Sequence, residues 1–518
     1  MATVRDATIG LLRAFGMNRI FGNPGSTELP LFRDFPADFH YHLGLQESVV
    51  VGMADGYAQA TRNAAFVNLH SSAGVGHALG NLFTAYKNQT PLVVTAGQQA
   101  RSILPYEPYL FADRSTEFPR PFVKWACEPA RAQDVPAAIA RAYHVAMEQP
   151  CGPTFVSVPV DDWDQSCEPP EIRRVVALNP GDPLQLADAA EALAFARNPA
   201  FVLGAGIARD DAWSDMITLA ERHQAAVWAA PLAARNVFPE QHGLFAGFLR
   251  ASREAIVQDL DGHDLILVIG GPLSLYHVEG FGPHVPDGAK VIQIVDNHAQ
   301  AAWSPTGIAV IANARHAVRS LLAGPEPVRR PPRPPRAPPP PLDGRILSDA
   351  YLMQQIARLR PSGSVIVEEA PSSRAAMHDY LPIHDRDGFY TCASGGLGHG
   401  LPAAIGVALA RPDAKVIAVL GDGSSMYAIQ GLWSAAQLGL PISFIIIKNC
   451  RYQALLEFGR HFGLQSVEGT HLPDMDFVSL ARGQGLDSVL ITRACDLDSA
   501  ISASFSAAKP TLVEVLVD

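Results

Sequence analysis

Residues 416–462 read VIAVLGDGSSMYAIQGLWSAAQLGLPISFIIIKNCRYQALLEFGRHF. An apolar run ends in Gly421-Asp422-Gly423-Ser424, and then comes a helical pattern with Ile429, Leu432, Trp433 and Ala436. A second apolar run, 442–447, then delivers Lys448-Asn449. Strand, helix, strand predicts one right-handed crossover, so the two strands are parallel and can be neighbours. Their carboxyl ends then share the edge where open α/β sheets bind ligands, and Asp422 and Asn449 come close. A carboxylate, an amide oxygen and a backbone carbonyl suit Mg²⁺, which is commonly shared with phosphate groups. The flanking glycines leave N–H groups for diphosphate oxygens. The competing reading is a tight turn with Asp422 as a helix N-cap. GDGS alone does not separate the two; the asparagine at the next strand tip favours metal and diphosphate.

This combination resembles the metal- and diphosphate-binding motif of thiamine diphosphate enzymes. Almost the whole chain resembles the benzoylformate decarboxylase family among them. The resemblance implies Asp422, Asn449 and the Arg451 carbonyl as metal ligands, with Gly421, Gly423, Ser424 and Tyr452 around the cofactor. One departure is Lys448, where the family carries the first of two asparagines.

Beyond this stretch, 518 residues exceed one ordinary core and predict about three domains. A 48% hydrophobic, 18% charged composition is globular, and a net charge of −11 argues against a nucleic-acid partner. The six cysteines form no CxxC pair, which fits a reduced compartment and no zinc site. The N-terminal MATVRDATIGLLRAFG lacks a signal-peptide core, and no apolar run approaches a membrane span. A cytoplasmic protein without membrane partners is expected.

Segment 1–178 alternates strands (19–25, 41–47, 64–70, 91–97, 153–159) with helical stretches. Segment 182–324 repeats this grammar, and its Gly204-Ala205-Gly206 reads as a tight strand-to-helix turn rather than a dinucleotide site. Residues 325–344 are proline-rich and predict a stiff extended linker with solvated arginines. Segment 345–518 carries the GDGS motif and closes with PTLVEVLV. The expected fold class is α/β, with three doubly wound parallel-sheet domains. The resemblance makes them pyrimidine-binding, middle and diphosphate-binding domains.

The resemblance also implies how the chemistry is divided. Thiamine diphosphate is an electron sink for decarboxylation. Glu47 would hydrogen-bond its aminopyrimidine, Leu397 would wedge its rings apart, and the Gly395 carbonyl would accept from the amino group. Asn23, Pro24 and Gly25 would line the cofactor. His70 and His277 would move protons, as histidine does near neutral pH, and Ser26 would bind the substrate carboxylate. Glu28 falls near the site without a defined step. Tyr109, Leu110, Ala454, Leu455 and Phe458 would form the substrate pocket; Tyr109 and Thr391 differ from the resembled pocket. Blander readings exist for each: Glu47 at a helix N-terminus, Ser26 as an N-cap, Leu397 as core, His277 as a surface residue. Burial of Glu47 without a partner would be costly, which favours function there.

The expected activity is a thiamine diphosphate- and Mg²⁺-dependent carboxy-lyase, with Ca²⁺ able to replace Mg²⁺. It would convert benzoylformate to benzaldehyde and CO₂ in mandelate catabolism, with carboligation as a side reaction. The alternatives are a dedicated carboligase of the acetolactate synthase kind, or a silent cofactor-binding protein. A homodimer would be the minimum active unit and a homotetramer the expected assembly.

Overall fold

Residues 416–448 fold as the expected crossover. Val416–Gly421 lies parallel to Ile442–Lys448, with Gly421 opposite Ile447, in a computed structural model describing residues 2–517. The helical pattern between them divides into Asp422–Met426 and Gly431–Leu438. Both strands are buried almost throughout, as parallel strands covered on both faces must be.

Three sheets of this kind are present, and the chain divides into two compact units. One unit takes the residues up to Val176, then Asp343–Arg374 and those from Ser394 onward. Its first sheet orders His40–Leu43, Arg19–Gly22, Ala65–Leu69, Leu92–Gln98, Thr154–Pro159 and Ala126–Cys127, all parallel. The chain steps outward from Arg19–Gly22 in one direction and then returns to its other side with Ala65–Leu69. That reversal opens a crevice at the carboxyl ends of these two strands. The second sheet of this unit runs Val365–Glu369, Val416–Gly421, Ile442–Lys448, Thr511–Leu516, Asp487–Ile491, again parallel. PTLVEVLV therefore does not close this sheet. It lies inside, and the half-exposed Asp487–Ile491 forms the edge after helix Ala494–Ser506 carries the chain back.

The other unit, Ala177–Leu342 with Ala375–Ala393, holds the parallel sheet Phe245–Phe248, Ala226–Ala229, Pro199–Leu203, Leu265–Ile269, Lys290–Val295, Ile308–Ile311. At its reversal point Gly206 N–H donates to the Gly270 carbonyl at 2.8 Å, so two glycine turns meet backbone on backbone. The proline-rich segment corrects an expectation. Arg330 is not solvated: it donates to the carbonyls of Ala196 (2.9 Å) and Leu193 (2.7 Å), at the end of helix Pro183–Phe195, and to His223 (2.9 Å). Arg333 reaches Gln224 and Asn198, and Arg336 pairs with Asp379. A helix C-terminus leaves carbonyls unpaired, and a guanidinium satisfies several at once.

Among the described residues no disulfide forms and no helix is long and apolar enough to cross a membrane.

Candidate active site

The turns after the two central strands line the crevice of the first sheet. After Arg19–Gly22 come Asn23, Pro24, Gly25, Ser26, Thr27 and Glu28; after Ala65–Leu69 comes His70. Glu28 is 1% exposed, so its carboxylate needs partners. It accepts the N–H groups of Gly25 and Gly97, each at 2.9 Å, and the Thr27 hydroxyl at 2.6 Å. His70 Nδ1 faces Glu28 at 2.9 Å and Thr27 at 3.1 Å, which fixes the ring. A Cβ on Gly25 would overlap that imidazole, so only glycine lets the loop approach it. Ser26 is not an N-cap: it sits exposed in a turn, and the short helix beyond it, Leu29–Phe32, starts from Glu28.

Glu47 heads helix Glu47–Thr61, but the capping oxygen belongs to Gln46, which accepts from Ser48 N–H at 2.6 Å. Relieved of that task, Glu47 is 7% exposed, accepts from Asn23 Nδ2 at 3.2 Å and faces His77 Nδ1 at 3.1 Å. Tyr41 lies close to both carboxylates. Burial, with the charges of Glu28 and Glu47 adding to it, raises its phenol well above the ordinary range, and its hydroxyl has no hydrogen-bond partner among the described residues.

At the other sheet edge Asp422 is the first residue of its helix rather than the N-cap, which is Gly421. Its carboxylate, 3% exposed, accepts from Gly423 N–H (2.7 Å) and reaches across to the N–H groups of Asn449 (3.1 Å) and Cys450 (2.8 Å). Asn449 Oδ1 in turn accepts from Arg451 N–H at 3.1 Å. Segment 470–472 pins this turn from behind: Tyr452 N–H donates to Thr470 and Leu472 N–H to Cys450, leaving the Arg451 carbonyl outside these bonds. Burial raises the Asp422 carboxyl, with the three amides pulling it back. No ion pair to it exists among the described residues. Lys448 points elsewhere, to Glu514 at 2.7 Å and the Met475 carbonyl. A buried carboxylate, an amide and a carbonyl around one turn fit a hard divalent cation. Ser424 is held by its hydroxyl to the Glu369 carbonyl at 2.7 Å. Helix Gln453–His461 then carries Ala454, Leu455 and Phe458 on adjoining positions of one face.

The Gly395 and Leu397 loop is tied back to Glu47 by residues that sequence reading missed. Asn81 Nδ2 donates to the Ser48 carbonyl (2.7 Å) and the Gly398 carbonyl (3.1 Å), and Thr84 meets Ser394 at 2.9 Å. His77, Asn81 and Thr84 recur at helical spacing along Ser71–Asn88, a polar stripe visible in the sequence. Thr27 had no such signal. Not brought into this constellation are Tyr109, 90% exposed, and Leu110, also exposed. His277 and Thr391 belong to the other unit, the first exposed with its N–H on Ala251, the second buried with its N–H on Ala234.

Comparison with known proteins places three matches along the chain. Residues 2–114 match the thiamine pyrophosphate enzyme N-terminal TPP binding domain, 186–321 the central domain, and 371–515 the C-terminal TPP binding domain. A benzoylformate decarboxylase of Pseudomonas aeruginosa is 40% identical over 521 residues, covering 99% of each chain. The crystal structure of benzoylformate decarboxylase from Polynucleobacter necessarius superposes with a TM-score of 0.97 at 37% identity, covering 100% of this chain and 99% of that one. The thiamine diphosphate-dependent 4-hydroxybenzoylformate decarboxylase of Rhodococcus jostii RHA1 gives 0.96 at 39% identity, with the same coverage.

Proposed function

The chain belongs to the thiamine pyrophosphate enzyme family, as a decarboxylase related to benzoylformate decarboxylase, and we propose that it converts benzoylformate to benzaldehyde and CO₂ with Mg²⁺. The observation that carries this reading is the Asp422 carboxylate facing the 449–451 turn at the ends of adjacent parallel strands.

Asp422, Asn449 and the Arg451 carbonyl would hold Mg²⁺, or Ca²⁺ in its place, and Gly421, Gly423, Ser424 and Tyr452 would surround the diphosphate. When bound, thiamine diphosphate supplies the nucleophilic carbon and the electron sink for loss of CO₂. Glu47 would hold a proton against the aminopyrimidine nitrogen, with Asn23 fixing its carboxylate. Leu397 would press between the rings and the Gly395 carbonyl would take the amino group. His70, with its ring fixed by Glu28 and Thr27, would give and take protons at the substrate carbonyl oxygen and carbon. Ser26 would hold the carboxylate, and His277 would serve as the second proton carrier. Ala454, Leu455 and Phe458 would form an apolar wall for an aryl ring, and Tyr109 and Leu110, exposed in the single chain, would have to close over it.

The domain roles we assign are pyrimidine binding for 1–178, a middle domain at 182–324, a linker at 325–344 and diphosphate binding for 345–518. We assign a homodimer as the working unit, paired into a homotetramer, in the cytoplasm; the exposed Tyr106, Tyr109 and Phe462 support contact with a second chain.

The test is to incubate the protein with thiamine diphosphate, Mg²⁺ and, in turn, benzoylformate, 4-hydroxybenzoylformate, a branched 2-oxo acid and pyruvate. CO₂ and free aldehyde in equal amounts, fastest with an aryl substrate, are expected. Ketol without free aldehyde would make it a carboligase, and no turnover by protein that holds the cofactor would make it a silent binder.

A further inference from the structure

The loop that carries Tyr109 and Leu110 is held by residues the proposed chemistry does not use. It leaves strand Leu92–Gln98, which runs parallel to Ala65–Leu69 with Leu69 opposite Ala96, so it starts from the same sheet edge as His70. Neighbouring residues divide the work at this strand end. Gly97 N–H donates to Glu28 at 2.9 Å, and Gln98 turns to the loop. Gln98 is 1% exposed. Its Nε2 donates to the Ala112 carbonyl at 2.9 Å and its Oε1 accepts the Ala112 N–H at 3.2 Å, so one side chain pairs with backbone as a neighbouring strand would. Gln99 Nε2 donates to the Tyr109 carbonyl at 2.7 Å. The two ends of the loop are fastened as well. Arg101 donates to both oxygens of Asp162, each at 2.8 Å, and Ser115 shares the Glu128 carboxylate with Ser157, each at 2.7 Å.

These anchors hold a backbone that would not keep its shape alone. Glu107 (φ 45°) and Leu110 (φ 64°) lie in the left-handed region, which bulky side chains rarely adopt. Residues in such conformations persist only where their surroundings over-determine them, and they cluster at ligand clamps. The tip side chains do not supply that constraint, since Tyr109 is 90% exposed and Leu110 is exposed too. The constraint therefore lies in the backbone anchors, which present two large side chains to solvent on an ordered loop. Ordering a loop on binding weakens affinity, and a loop ordered beforehand avoids that loss.

We propose that Gln98 and Gln99 are positioning residues that hold the Tyr109–Leu110 segment preset at the sheet edge bearing His70, and so set the preference for an aryl over a small 2-oxo acid. This rests on the reading above in which Tyr109 and Leu110 close over the aryl ring. Both glutamines act through the loop and neither is placed on the substrate.

Substrate size separates positioning from mere stability, because pyruvate has no ring for the loop to meet. Wild-type holoprotein, Gln98→Met and Gln99→Met are compared with thiamine diphosphate and Mg²⁺ present; methionine keeps the volume and removes the hydrogen bonds. Gln98→Met is expected to raise KM for benzoylformate about tenfold, the scale of ordering one or two side chains, with kcat within about twofold and the constants for pyruvate unchanged. Hydrogen–deuterium exchange over residues 103–113 should be about tenfold faster in this variant, with the rest of the chain as protected as in the wild type. Gln99→Met should shift both readouts the same way by less. Unchanged exchange, faster exchange with unchanged KM, or an equal loss on both substrates overturns the proposal. Wild-type protein that prefers pyruvate overturns the aryl-pocket reading instead, and the proposal with it. Should Gln98→Met fail to fold, Gln99→Met, at a half-buried position, carries the same comparison.

Discussion

The two sheet edges of the larger unit differ in what their carboxylates meet: both use backbone amides, but only the first adds imidazoles. At the first edge Glu28 and Glu47 each face an imidazole, His70 and His77, at hydrogen-bond distance. At the other edge Asp422 is held by three backbone amides, whose protons do not come off. Side-chain partners exchange protons with their surroundings; amides only fix a negative charge in place. The same strand-and-crossover grammar therefore builds one edge suited to moving protons and one suited to anchoring a cation. The difference lies in what each turn offers, not in the sheets.

If that division holds, the variants of the two edges fail differently. His70→Ala should lower decarboxylation by about a thousandfold, the scale of a lost general acid–base group, while thiamine diphosphate affinity stays at the wild-type value in fluorescence titration. Asp422→Asn should do the reverse. It loses cofactor retention by about a hundredfold, partly recovered at high Mg²⁺, and chelation of Mg²⁺ from the wild type should mimic it. Loss of cofactor affinity in both variants would erase the contrast between the edges.

Glu369 makes the contrast finer, being a titratable carboxyl beneath the anchoring edge. Burial pushes it up to about 7 from an ordinary value of 4.5. Between those values the fold holds a proton that the unfolded chain has lost, so this contribution to stability is full below 4.5 and disappears as pH rises through about 7. Denaturant midpoints of Glu369→Gln should accordingly fall less steeply with pH over that window than those of the wild type. The smallest functional effect is expected from Lys448→Met. It strands the 2%-exposed side chain of Glu514 with the Val478 amide alone, costing about 2 kcal/mol in equilibrium unfolding, yet leaves cofactor affinity near wild type because Lys448 points away from Asp422.

Strands buried on both faces were legible because they must be almost continuously apolar, as 416–421 and, but for Ser443, 442–447 are. Asp487–Ile491 was not, since an edge strand half in water carries no such signature. The approach of Asp422 to Asn449 was legible because a crossover brings the carboxyl ends of both strands to one edge. The Asp55–His399 contact, 344 positions apart, was not, because helix-to-helix packing leaves no local pattern for a single polar pair. The arginines of the proline-rich segment misled for a related reason: composition predicts solvation, but unpaired carbonyls at a distant helix end have the greater claim on a guanidinium.

Those arginines also bear on how the protein is made. The carbonyl of Ala196 waits 134 residues for the guanidinium of Arg330. At ribosomal speeds that is on the order of ten seconds or more. Through that interval water has to satisfy the last carbonyls of helix Pro183–Phe195, until the proline-rich segment clears the exit tunnel and Arg330 replaces it.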